Sequence, residues 1–145
     1  MASNLYNPGL LKLLDRTVDF ENDTIKVLLV NTSHTFDKTD EFVSDIVANE
    51  SANVSGTGYE RKTLGSKTIL LDAANDRVEY DCANPTYTAI NAGTIAAAIV
   101  FKEGVDDASS PLLAQIDFAD LVTNGSDVEL QVNTDGLFTV TNNIV

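Results

Sequence analysis

The sequence predicts one all-β domain over residues 1–145, a jelly-roll-like β-sandwich. A short N-terminal helix or arm occupies residues 1–20, and one long helical excursion interrupts the sandwich of residues 21–145. Two observations predict the class. Short runs rich in Val, Ile, Thr and aromatic residues recur along the chain, several alternating strictly with polar residues. Between them stand Gly, Asn, Asp and Pro clusters that turn the chain. Many short strands with recurrent turns suit a sandwich or small barrel, whereas the order of the strands depends on long-range pairing that periodicity does not encode.

Asn7 is a candidate helix N-cap, with Pro8 at the first helical position and Leu10, Leu11, Leu13 and Leu14 following. These leucines either cover one end of the sandwich or form an arm that packs on a neighbouring subunit. Residues 23–31 are a β-branched apolar run between turn formers and predict a central strand. A polar stretch, 32–40, leads into residues 41–47, whose apolar spacing allows one or two helical turns.

Residues 51–58 read as a loop, then 59–63 and 67–72 as extended segments with Gly65-Ser66 turning between them. Asn75-Asp76 is a second turn. After it Val78, Tyr80 and Cys82 alternate with charged residues in strand fashion, which makes Cys82 an inert core thiol. Residues 86–90 are β-prone. The alanine-containing run 94–102 is short and β-branched at both ends, so it reads as a strand crowded on both faces rather than a helix. Residues 112–118 predict another strand. Val128, Leu130 and Val132 alternate with polar residues, and Asp135-Gly136 is a tight-turn signal, so the chain should close as a hairpin.

Composition restricts function more than it assigns it. With 145 residues and 43% hydrophobic content the chain can build one core without a covalent staple. A formal net charge of -13 repels phosphate backbones and anionic lipid, which argues against nucleic acid and membrane partners. The charge serves solubility or complements a basic partner. The first residues lack a signal-peptide pattern, and no run approaches the ~18–20 apolar residues of a membrane span, so cytoplasmic synthesis is expected.

Enzymatic chemistry is not expected. His34 is the sole histidine, an ordinary loop residue or a proton-sensitive contact at an interface, and Cys82 is the sole cysteine. The carboxylates Asp106-Asp107, Asp37 with Asp40 and Glu41, and Asp117 with Asp120 offer oxygen to a hard cation. None follows the pattern of a dedicated calcium loop, so no metal is expected. Gly56-Thr57-Gly58 lacks the lysine and spacing of a phosphate loop, and no cofactor is expected. Tyr6, Tyr59, Tyr80 and Tyr87 read as packing residues rather than a platform for sugars.

The order of segments resembles the capsid decoration, or cement, proteins of tailed bacteriophages. The resemblance rests on Asn4-Leu5-Tyr6 with the leucines after it, the run 23–31 leading to Thr35-Phe36-Asp37, and the segments 56–63, 91–102, 111–117 and 127–140. It implies a homotrimeric sandwich that clamps subunits of the major capsid protein from outside the phage head, localised to the virion surface, with no active site. Leu5, Tyr6, Leu10, Leu11, Leu13 and Leu14 are then the candidate interface residues. Other readings are a tail-tube, adaptor or fibre-associated virion part, and a cell-surface glycan-binding module.

Overall fold

The computed structural model describes residues 3–56 and 58–141. Residues 1, 2, 57 and 142–145, including the middle of the Gly56-Thr57-Gly58 motif, lie outside the described residues. The chain is mostly β. Its strands are β1 (Ser3–Leu5), β2 (Ile25–Asn31), β3 (Lys62–Thr63), β4 (Thr68–Asp72), β5 (Arg77–Asp81), β6 (Thr86–Tyr87), β7 (Thr94–Lys102), β8 (Leu112–Val122), β9 (Val128–Glu129) and β10 (Phe138–Thr141). Two α-helices, α1 (Asn7–Leu14) and α2 (Val43–Ile46), interrupt them, and the second is the helical excursion expected in residues 41–47. Among the described residues no helix is long and apolar enough to cross a membrane.

Three antiparallel sheets result: five strands in the order β1-β8-β7-β2-β3, three in the order β10-β5-β4, and the pair β6-β9. The run 94–102 forms a strand, β7, at the centre of the large sheet. Its side chains explain why. Ile95, Ala98 and Val100 enter one apolar cluster and Ala97, Ile99 and Phe101 enter another, so both faces are covered. β2 divides the same way, with Ile25, Val27 and Leu29 on the first cluster and Leu28 and Val30 on the second. The first cluster also takes Tyr80 and Phe138 from the three-stranded sheet; the second takes Tyr6, Val43 and Ile46.

The N-terminal segment is held rather than free. β1 pairs with β8, matching Ser3 to Ile116 and Leu5 to Ala114, and the Tyr6 amide then donates to the Leu113 carbonyl at 3.1 Å. That extension corrects the expected cap: Tyr6, not Asn7, is the N-cap of α1, because the strand runs on through Tyr6 and the Asn7 amide donates to the Lys38 carbonyl. Pro8 still sits in the first turn, where its missing N–H is not needed. A Cβ at Gly9 would stand 2.1 Å from the Leu112 carbonyl oxygen, so glycine is what lets α1 lie on the backbone of β8.

Two turns do something other than expected. Gly65-Ser66 does not join a hairpin: β3 pairs with β2 and β4 with β5, so this turn carries the chain from one sheet to another. Asp135-Gly136 does turn the chain, with the Gly136 amide on the Asn133 carbonyl at 2.9 Å, but no closing hairpin follows. β9 pairs with β6 and β10 with β5. The physical reason is burial: Leu137 and Phe138 leave the turn into the core, and the Phe138 ring stacks on Tyr80 with centroids 4.6 Å apart. The extended segments 59–63 and 86–90 shrink to the two-residue strands β3 and β6.

Candidate interaction surface

The six leucine and tyrosine positions of the N-terminus do not act together. Tyr6 is fully buried against Phe36, ring centroids 4.9 Å apart, and Leu13 belongs to the main core. Leu5 packs partly on that core and Leu10 is half-buried. Only Leu11 and Leu14 are exposed, at 61% and 67%. Three positions apart on α1, they form one outward apolar patch. Tyr6 and Leu13 are therefore removed from a partner's reach, because the same stripe that suggested an arm is what fastens α1 to the sheet.

A larger apolar surface lies where residue types did not point. Among the described residues β4 pairs with β5 on one side only, and Ile69, Leu70 and Leu71 are 38%, 49% and 78% exposed. Its sequence carries the signal, three consecutive large aliphatic residues with no polar alternation, yet nothing local says that the second neighbour is missing. The free edge is partly managed: the Glu21 carboxylate accepts from the Ile69 amide at 3.1 Å. At the hairpin end Arg77 is held by Asp72, Glu79 and Asp135, each at 2.9 Å, which fixes the β4–β5 turn. A cleft of about 250 Å³ lined by Leu13, Arg16, Phe20, Glu21, Ile69 and Tyr80 lies between the end of α1 and β4.

The remaining candidates are occupied by structural contacts. His34 Nε2 is 2.9 Å from Gln115 Oε1, and the Gln115 amide donates to Asp117 at 2.9 Å, which ties the 32–40 stretch to β8. Asp106 accepts from the Ser109 amide and caps the short helical turn 107–109. Thr39 donates twice to Asp37, from its amide and its hydroxyl, and holds that carboxyl below its ordinary range. Asp40 shifts the other way, raised by burial and then by the charges of Asp37 and Asp45. Among the described residues no group of three or more His, Cys, Asp or Glu side chains is arranged to hold a metal ion.

One ionic constellation was not foreseen. Arg61 reaches Glu50 at 2.6 and 2.9 Å and Asp107 at 2.6 and 3.1 Å, while the Tyr59 hydroxyl donates to Glu50 at 2.6 Å. The guanidinium also stands 5.5 Å from the Phe101 ring centre. These bonds keep the Asp107 carboxyl below its ordinary range, and burial raises the Tyr59 phenol. With both carboxylates turned onto the guanidinium, the cluster joins three loops. Cys82 is 7% exposed, and burial, then the Asp81 charge, push its thiol up to about 11. Tyr6, Tyr80 and Tyr87 are buried packing residues, as expected.

These features define a class, a mostly β domain with an exposed apolar strand at a sheet edge and a partly buried ionic cluster. No family model matches the chain, and no curated protein and no solved structure matches it.

Proposed function

We propose that this chain is a structural virion protein, a capsid decoration or cement protein that binds the outer surface of a phage head and stabilises its lattice. The domain is read as a jelly-roll-like sandwich acting as a homotrimer, made in the host cytoplasm and resident on the capsid surface. One observation carries the reading: β4, at the edge of its sheet among the described residues, presents Ile69, Leu70 and Leu71 to solvent. An apolar, one-sided strand edge is costly to leave in water and is suited to contact with another protein. The order of segments resembling decoration proteins supplies the partner, the major capsid protein.

Stabilisation follows from mass action. A ligand that binds only the assembled lattice lowers its free energy by RT ln(1 + [L]/Kd), about 2.7 kcal/mol per site at a hundredfold excess over Kd. Three rigidly joined copies add avidity. The test is light scattering of the purified protein followed by co-sedimentation with mature empty phage shells. A trimer that saturates the shells is expected. A monomer that stays in the supernatant overturns the reading.

A further inference from the structure

β8 outruns its partner β1. β1 pairs only with Ala114, Gln115 and Ile116, so from Asp117 to Val122 the outer edge of β8 has no strand partner among the described residues. On its inner side, β8 steps four positions from Leu121 to Asp117 while β7 steps two, Ile95 to Ala97. Around that bulge Phe118, half-buried against the main core, and the exposed Ala119 and Leu121 line a depression. The result is a groove of about 410 Å³ between the end of β8 and residues 128–131, a size typical of ligand sites. Its accessible apolar walls are Phe118, Ala119, Leu121 and Val128, with the core residues Leu29, Tyr87 and Ile95, at most 1% exposed, behind them.

One acidic residue, Glu129, lines the groove, and Asp120 and Asp127 neighbour lining residues in the sequence. All three are exposed, and none forms an ion pair with a described residue. Asp127 and Glu129 accept only neutral donors, the Ala89 amide and the Asn84 side chain. Lys62 stands 5.7 Å from the ring centre of the lining residue Tyr87, but its ammonium is paired with Glu60 at 2.7 Å. Arg77, which borders a neighbouring cleft with Leu130 and Gln131, is held by Asp72, Glu79 and Asp135.

We propose that this groove binds an extended, basic segment of a partner protein, whose apolar side chains enter between Phe118, Ala119, Leu121 and Val128 while its Lys or Arg side chains meet Glu129 and the exposed Asp120 and Asp127 next to the lining residues in sequence. The edge of β8 beyond Ile116, unpaired among the described residues, offers the segment backbone hydrogen bonds as an added strand. Charge selects against a second copy, because each copy carries the same net charge of -13. On the decoration role proposed above, on which this last assignment rests, the segment belongs to the shell subunit.

The test is a nuclear magnetic resonance titration of the isotope-labelled full chain with three blocked pentapeptides, Lys-Leu-Lys-Leu-Lys, Glu-Leu-Glu-Leu-Glu and Lys-Ser-Lys-Ser-Lys. The first should shift the amides of residues 118–121 and 128–131, and its binding should weaken by about tenfold between low salt and roughly 0.5 M salt. The other two should bind at least about tenfold more weakly, because each lacks either the charge or the apolar anchors. The double variant Asp120→Lys, Glu129→Lys, at exposed positions, should lose the preference for the basic peptide. Equal binding of the two leucine peptides would make the groove a site for any apolar ligand and overturn the proposal. So would shifts elsewhere, an absence of shifts, or self-association through these residues without peptide. Shells separate this inference from the functional reading. If the wild-type chain ignores shells while the basic peptide binds the groove, only the decoration role falls. If the double variant sediments with shells like the wild type and the peptide does not bind, only the groove falls.

Discussion

The five-stranded and three-stranded sheets are built from similar residues and put to different uses. β7 and β2 are covered on both faces, so every aliphatic side chain from Ile25 to Val30 except the intervening Lys26 is at most 1% exposed. β4 has an equally aliphatic core of three residues, but it stands at an edge with one neighbour, and all three remain accessible. The difference is topological. An aliphatic run is buried when both faces of its strand are covered, and stays accessible where a strand at a sheet edge is not. The comparison predicts that substitutions in β2 act first on stability and substitutions in β4 act first on association.

The largest break should come from Leu29→Ala, which opens a cavity under both the main cluster and the groove, and should cost about 2–5 kcal/mol in urea unfolding. A loss below about 1 kcal/mol would mean that the large sheet is less tightly filled than its burial implies. Next, Arg61→Met strands the carboxylates of Glu50 and Asp107 and should cost about 1–3 kcal/mol. It should do so with oligomeric mass and shell binding unchanged, since the cluster is structural; an equal loss of shell binding would move the contact surface to this loop.

A pH titration sharpens the contrast at the seam between the sheets. The fold favours the neutral Cys82 thiol, raised from 9.0 to about 11, so its contribution is complete below pH 9 and is lost as pH climbs through about 11. Tyr59 and Tyr87, raised by burial, act in the same direction at higher pH. Thermal melts across this range should fall, and Cys82→Ala should flatten the early part of the fall. A parallel decline in both proteins would remove the thiol as its cause. The smallest effect on stability is expected from Leu71→Ser, within about ±0.5 kcal/mol, because the side chain is 78% exposed. The same variant should lower shell binding or oligomer mass; unchanged association would acquit the β4 edge.

Much of the local structure was legible. The run 23–31, the alternation of Val78, Tyr80 and Cys82, and the Asn75-Asp76 turn each declare themselves within a few residues, because side-chain period and turn chemistry are short-range properties. Even the alanine-rich β7 was readable from its β-branched ends. The candidate surface was legible only in part. Leu11 and Leu14 were named but so were Tyr6 and Leu13, since an amphipathic stripe does not say which of its members the rest of the chain will cover.

What the sequence by itself determined is the alphabet: a mostly β chain, where it turns, a strongly acidic charge balance, and tyrosines and a cysteine suited to a core. Tertiary structure alone decided the partners. It sent β9 to β6 and β10 to β5 in place of a closing hairpin, left β4 with one neighbour, and let β8 run past β1 to open a groove. The reason is that a strand's own residues specify which groups must be paired or buried, whereas the strand that satisfies them is chosen by the competition of every other element for the same core.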